Sequence, residues 1–476
     1  MKVLFINPFI PLERSYGRYA RFGAILPPYG MACIASYARA RGVEARIIDA
    51  NRHAMSVAEV VKAACSWQPD LIGLYATTLG SPEALSLARA LRPAVPHAKL
   101  ILGGPHAIGN AEKLLDDEPT FDFVCAGEGE LAVIGLLRAL ESGRTEFNDI
   151  PGLCWRNGTE AVRNAISEVI NLDDVPSPAR EIGDLKGYHQ KIFSFCRTPF
   201  AVMQTSRGCP YNCIFCSSPM HRKTVHGGKI RYHSLAWIEA ELDYLVREQG
   251  ASEVYFLDDT FNITEKRVVE ICELILRRFP GLMWSCNFEV NVASREMLSL
   301  MQRAGCWSIM IGVESGSQKI LDAIQKGITI EQVLKVSDWC YELGLMGRAS
   351  FILGHPGETR ETMRQTIALA RRVRLPFVTF SLMTPLPGSR LQTIADRFGE
   401  VRQTDDGAAF SRASFIPFGL TAAELEAAQI QAHRSVFLSP RRNFRLMRYL
   451  FRRENREVAL STVQRVAASF FEGDGH

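Results

Sequence analysis

The chain contains no run of about 18 uninterrupted apolar residues, the length an α-helix needs to cross a bilayer. That leaves a helical membrane span out of the reading. Its first residues, MKVLFINPFIPLERSYGRY, hold a short apolar run without a small-residue cleavage site; they read as a first strand, not a secretory signal. Net charge is scarce as well. Lys and Arg number 55 against 51 Asp and Glu, and the resulting +4 is too mild to argue for nucleic acid or an anionic membrane. Cysteine is dispersed, with 12 in 476 residues and a single tight cluster. Such usage excludes a secreted disulfide scaffold and points to a reducing cytoplasm. There is no fixed-period repeat and no low-complexity tract. What remains is 47% hydrophobic and 22% charged, an ordinary soluble composition, at a length that implies two or three domains.

Residues 1–145 alternate short β-rich runs (KVLFIN, EARIID, LIGLYATT, AKLILGG, FDFVCAG) with helix-period segments. One helix is stopped by Gly42 and another is started by Ser81-Pro82. The alternation predicts α/β structure, a doubly wound parallel sheet with its ligands beyond the carboxyl ends of the strands, on the loops after Asn7, Thr77 and Gly103. Residues 146–197 break the pattern with a hairpin around Asn157-Gly158 and a proline-punctuated linker, LDDVPSPAR. Residues 198–410 resume it in six β/α units, which fit a partial, open version of the eight-unit TIM-like barrel. The polar clusters of this half fall at strand ends: Cys209, Cys213 and Cys216; Asp258-Asp259; Glu289 and Asn291; Glu314-Ser315; His355 and Glu358. Residues 411–476 read as mostly helical.

SRGCPYNCIFCSS, residues 206–218, sets three cysteines in a C-x3-C-x2-C spacing with no fourth cysteine close behind. A structural zinc site wants four protein ligands, usually as two separated pairs, and no second pair follows. On a four-iron cubane, three thiolates leave one iron without a protein ligand, a place where a chelating substrate or cofactor can bind.

This motif, placed directly after a first barrel strand, resembles the radical SAM superfamily. The resemblance implies a [4Fe-4S] cluster on Cys209, Cys213 and Cys216 whose open iron chelates S-adenosylmethionine (SAM), and reductive cleavage of SAM to a 5′-deoxyadenosyl radical. It further implies that Tyr211 and Phe215 shield the cluster. YFLDDTF is similar to the second-strand element and offers Asp258 or Asp259, a buried carboxylate pair, to the SAM ammonium. IGVESG suggests Glu314 for the ribose hydroxyls, and FILGHPGET resembles the Gly-rich turn near the adenine, with Gly354, Pro356 and Gly357. TPLPGSRL resembles the sixth-strand segment, with Ser389 where Thr is common. Asn291 stands where many relatives carry arginine, so its contact is open.

The order of sheet domain, linker and barrel resembles the branch of the superfamily with an N-terminal cobalamin (B12)-binding domain. AILPPYGMACIASYA, ATTLGS with Thr77 and Thr78, ILGGPHA with Gly103 and Gly104, and AGEGE at 126–130 carry that resemblance. It implies a corrinoid against Thr77, Thr78, Gly103 and Gly104. The Asp-x-His-x-x-Gly motif that supplies an axial cobalt ligand is absent, since NPFIPLERSYGRYARFGAILPP contains no histidine. His106 reads as a loop hydrogen-bonding residue.

Near the C-terminus, Arg441, Arg445, Arg448 and Arg452 fall along one helix face, a solvated basic face or a clamp for an anionic substrate or redox partner. Phe444, Met447 and Phe451 form a second stripe expected to pack on the barrel. The leading reading is a cobalamin-dependent radical SAM methyltransferase acting on an unactivated carbon of a natural product, lipid or cofactor precursor, reduced by flavodoxin or ferredoxin. A second reading keeps the cluster and SAM without cobalamin, for dehydration, epimerisation or rearrangement of a sugar-like substrate. A third is a non-catalytic iron–sulfur or zinc protein.

Overall fold

A computed structural model describes residues 1–16, 23–189, 197–225, 227–402, 412–451 and 460. The first sheet has seven strands: β1 (Lys2–Asn7), β2 (Glu44–Asp49), β3 (Leu71–Tyr75), β4 (Lys99–Gly103), β5 (Phe123–Cys125), β6 (Leu153–Asn157) and β7 (Glu160–Arg163). Their order is β2-β1-β3-β4-β5-β6-β7, parallel through β5 and antiparallel at β6 and β7. The order reverses at β1, so a crevice opens beyond the carboxyl ends of β1 and β3. The Asn157-Gly158 hairpin belongs to this sheet and is not a free linker element: β6 pairs with β5 at Phe123–Trp155 and Val124–Cys154.

Alternation sorts the strands onto two faces. Leu4, Ile6, Ile72, Leu74, Leu100 and Leu102 pack against the helices Val57–Trp67, Ser81–Ala94 and Pro105–Asp117. Val3, Phe5, Leu71, Ile101 and Phe123 turn the other way, toward the helices Tyr29–Arg39 and Gly129–Glu141. Local signals act as read: Gly42 is at φ 80° after the first of these helices, and Pro82 sits in the first turn of Ser81–Ala94.

After β8 (Phe200–Met203) comes a two-stranded ladder of β9 (Ser206–Arg207) and β10 (Arg231–Tyr232). Then follow β11 (Glu253–Phe256), β12 (Met283–Phe288), β13 (Cys306–Glu314), β14 (Met346–Leu353) and β15 (Phe377–Leu382). Together β8 and β11–β15 form a six-stranded parallel sheet in chain order, with β8 and β15 at its edges, the expected open barrel. Its core is continuous with the second face of the first sheet: one buried cluster runs from Val3 and Phe5 through Val202, Phe256 and Phe351.

Beyond the barrel, β16 (Gly399–Val401) and β17 (Phe415–Pro417) pair antiparallel, so the segment after 411 begins with a strand before its helices. Helix Ala422–Phe437 lies on the barrel, where Gln429 Nε2 donates to Phe380 O at 2.8 Å. The last helix, Pro440–Leu450, departs from expectation. Phe444 and Phe451 are 69% and 72% exposed, and Met447 is exposed too. The side chain turned inward is Arg442, buried and donating to the carbonyls of Ala370, Val373 and Leu375. Those carbonyls close a helix C-terminus, whose unsatisfied oxygens a guanidinium serves better than an aromatic ring can. Arg452 lies outside the described residues.

Candidate active site and cofactor chamber

The cysteine loop leaves β8 and is fastened to four other strand ends. Asp258, at the end of β11, accepts from Thr205 N at 3.1 and 3.2 Å, Thr205 Oγ1 at 2.8 Å and Ser206 Oγ. Tyr211 donates its hydroxyl to Asn291 Oδ1 at 2.8 Å, beyond β12. Ile214 N reaches Ile324 O at 3.0 Å after β13, and Leu391 N reaches Ile214 O at 2.7 Å after β15. Gly208, at φ 105°, permits the turn into the motif.

Cys209, Cys213 and Cys216 are free thiols. Burial pushes Cys213 up to about 12, and it raises Cys209 and Cys216 as well. Each needs a metal's charge to hold it as thiolate. Cys209 Sγ stands 3.7 Å from Thr260 Oγ1, and Ser218 N donates to Cys216 Sγ at 3.4 Å. Among the described residues no three His, Cys, Asp or Glu side chains are grouped to hold a single ion. A cubane attaches each thiolate to a different iron and so suits a more open tripod; this donor set fits it.

The two aspartates separate. Asp258 is fully buried with its acceptors filled, while Asp259 is exposed and lines the cavity below. They are not a buried pair: β11 ends at Phe256, and in the turn beyond it Asp258 faces inward while Asp259 faces the cavity. Glu314 is buried at φ 66°, where the β13–β14 register shifts. Burial pushes its carboxyl up to about 7, with Lys326 pulling down and Glu289 pushing up. Lys326 Nζ is buried and 2.7 Å from Glu289 Oε2. Burial alone would depress that ammonium, and Glu289 and Glu314 override it. Lys326 went unread in the sequence because it follows a helix instead of ending a strand; its one signal is the left-handed pair Gln325 and Gly327 that turns it inward.

At the end of β14, Gly354 and Gly357 adopt φ 91° and 75° around buried Pro356. Glu358 Oε2 accepts from Gly354 N at 2.5 Å and His355 N at 3.0 Å, and burial pushes its carboxyl up to about 7. His355 is fully buried, pushed down to about 3 by burial, and meets Phe215 edge-on at 5.9 Å. Phe215 thus bridges the cysteine loop to this turn.

A cavity of about 650 Å³ lies where the strand ends of the first sheet face the barrel mouth. Asn7, Tyr75, Thr77, Gly103 and Gly104 line one side; Gln204, Arg207, Gly208, Leu257 and Asp259 line the other. Thr77 is therefore on the cavity and Thr78 is not; the carbonyl of Thr78 accepts from Ser81 Oγ at 3.2 Å. Gly103 is spacious, since an added Cβ would come no nearer than 3.8 Å to another atom. Gly104 is committed to the turn at φ 101°. His106 stands outside the cavity lining, its backbone N donating to Ala76 O at 3.2 Å.

The two halves are clasped beside this cavity. Arg207 pairs with Glu128 Oε1 at 3.1 Å and Glu130 Oε1 at 2.7 Å, and Arg231 pairs with the same Glu128 oxygen. All four side chains are nearly or wholly buried. Sequence reading had AGEGE and SRGC separately; nothing in either segment announces the other as its partner.

Comparison with known proteins agrees with this architecture. The radical SAM superfamily profile matches residues 203–370, and the B12 binding domain profile matches residues 18–137. An uncharacterized methyltransferase of Pyrococcus horikoshii is 33% identical over 82% of this chain and 82% of its own. The anaerobic magnesium-protoporphyrin IX monomethyl ester cyclase of Rubrivivax gelatinosus is 27% identical over 83% of this chain and 70% of its own. In fold, the chain resembles the radical SAM methyltransferase TsrM from Kitasatospora setae, solved with cobalamin and a [4Fe-4S] cluster bound. The TM-score is 0.69 at 18% identity, covering 90% of this chain and 84% of that one.

Proposed function

The chain belongs to the radical SAM superfamily, among members with a B12-binding domain, and on that premise we propose that it methylates an unactivated carbon of a natural product, lipid or cofactor precursor. The observation that carries this reading is a cavity between the first sheet's strand ends and the barrel mouth, which takes in Thr77 and Gly103 on one side and reaches Gly208 and Asp259, beside the cysteine loop, on the other. When bound, the cluster supplies an electron to cleave SAM and the corrinoid supplies a methyl carrier. Cys209, Cys213 and Cys216 would hold the cluster through their three thiolates. Asp259, exposed at the chamber, takes the SAM ammonium, whereas Asp258 holds the loop. Glu314 accepts from the ribose hydroxyls, and Lys326 offers a cation to the SAM carboxylate across the Glu289 pair. Gly354 and Gly357 let the backbone approach the adenine. On the sheet side, Gly103 and Thr77 face the corrinoid.

The test is anaerobic reconstitution with iron, sulfide and hydroxocobalamin, followed by reduction with SAM present. Methyl transfer by this route yields S-adenosylhomocysteine and 5′-deoxyadenosine in equal amounts. The variant Gly103→Leu, which has room at Cβ, should abolish corrinoid retention while keeping the cluster's absorbance. Deoxyadenosine without homocysteine product would favour the second reading, radical chemistry without methyl transfer, which draws support from the relative named as a cyclase. Absence of SAM cleavage from a fully reconstituted cluster would overturn both.

A further inference from the structure

Helix Pro440–Leu450 turns Arg442 inward, about half a turn from the apolar stripe of Phe444, Met447 and Phe451. Arg442, 8% exposed, donates to Ala370 O at 3.0 Å, Val373 O at 3.4 Å and Leu375 O, at and beyond the end of helix Arg360–Arg372. A cation is favoured there by the helix dipole and by the orphan carbonyls. With Arg442 inward, positions 444, 447 and 451 stand about 200°, 140° and 180° around the helix axis, at 100° per residue. Phe444, Met447 and Phe451 accordingly project outward, and no described residue covers them: they are 69%, 48% and 72% exposed. Leu438, at 74%, continues the apolar surface at the turn before the helix.

A groove of about 620 Å³ begins at that turn, lined by Leu438, Ser439, Pro440, Ile430, Arg371 and Arg434. Both arginines are exposed, and neither forms an ion pair with a described residue. Arg448 on the helix is likewise exposed. Residues 439–458 carry seven arginines against two glutamates, so the mild net charge of the whole chain conceals a concentrated basic segment. Aromatic and sulfur side chains presented outward between guanidinium groups match a phosphate-bearing apolar surface, into which the rings insert while the arginines pair with headgroups.

We propose that this face docks on an anionic lipid bilayer, with the helix lying in the interface and the arginine groove taking a lipid phosphate. The proposal stands on the surface alone and does not depend on the reading of the cavity.

The experiment is sedimentation of the full chain with sucrose-loaded vesicles, of phosphatidylcholine alone or mixed with phosphatidylglycerol. The chain should partition onto the phosphatidylglycerol vesicles and be released as salt rises. The double variant Arg371→Gln/Arg434→Gln should weaken partition roughly 25-fold, at about fivefold per arginine. The triple variant Phe444→Ser/Met447→Ser/Phe451→Ser should abolish it. All five positions are exposed, so thermal midpoints should match the parent chain and exclude unfolding as the cause. Equal binding to both vesicle types, no binding at low salt, or undiminished binding by the triple variant would overturn the proposal. A parent chain that is dimeric in solution, becomes monomeric in the triple variant and ignores vesicles would give the face to a second copy and overturn it equally.

Discussion

Asp258 and Asp259 are chemically identical neighbours, yet their surroundings give them different work. Asp258 satisfies three donors from Thr205 and Ser206 inside the barrel mouth, and Asp259 faces the chamber. Asp258→Ala should therefore destabilise the chain by about 2 kcal/mol or more, because it strands buried donors. Asp259→Asn should leave stability within about 0.5 kcal/mol and weaken SAM binding roughly threefold, the loss of one exposed charge pairing of about 0.7 kcal/mol. Urea midpoints and SAM titrations of the two variants separate the roles; equal effects on stability would refute the division. Glu358 gives a prediction in pH. Its folded value stands near 7 against an ordinary 4.5, so between these the folded chain keeps a proton that the unfolded chain has released. Stability must fall as pH climbs through that window. Glu358→Gln removes this titration and should flatten the decline in urea midpoint between pH 4.5 and 7. Glu314, raised the same way, leaves part of the slope in place.

The cysteine loop is an element without regular structure, and its order is borrowed. Contacts to the loops after β11, β12, β13 and β15 hold it, so the tripod is assembled only when the barrel has formed. The AGEGE turn and the β9–β10 ladder show the same dependence across the two sheets. Arg207 is buried against Glu128 and Glu130, whose charges hold its guanidinium protonated despite burial. Arg207→Met would leave buried Glu130 without its ion-pair partner and Glu128 with Arg231 alone, at a cost of about 3–5 kcal/mol. Adding Glu130→Gln should recover about 1–3 kcal/mol of it, the coupling expected of a contacting pair. Denaturant titration of the single and double variants measures this directly, and additive losses would show that the clasp is not a unit.

At the scale of the molecule, one buried core joins the first sheet to the barrel, and the chamber lies between them without belonging wholly to either. The sequence by itself determined the two α/β halves, the strand count of the barrel and the three-cysteine motif after its first strand. These depend on local periodicity and on spacing within a dozen residues, which the order of side chains carries directly. It also singled out Thr77, Gly103, Glu314 and the Gly354–Gly357 turn, since strand ends are where such folds place their chemistry. Thr78 was read alongside Thr77 because a loop's sequence does not say which of two neighbours turns inward. Tertiary structure alone decided that Asp258 braces while Asp259 faces the chamber, that Lys326 joins Glu289 and Glu314, that Arg207 clasps AGEGE, and that Phe444, Met447 and Phe451 point outward. Helical spacing correctly gave those three a common face. Which face is buried depends on what lies opposite, and here a row of helix-end carbonyls called for a guanidinium, an energetic preference that exists only once distant segments have met.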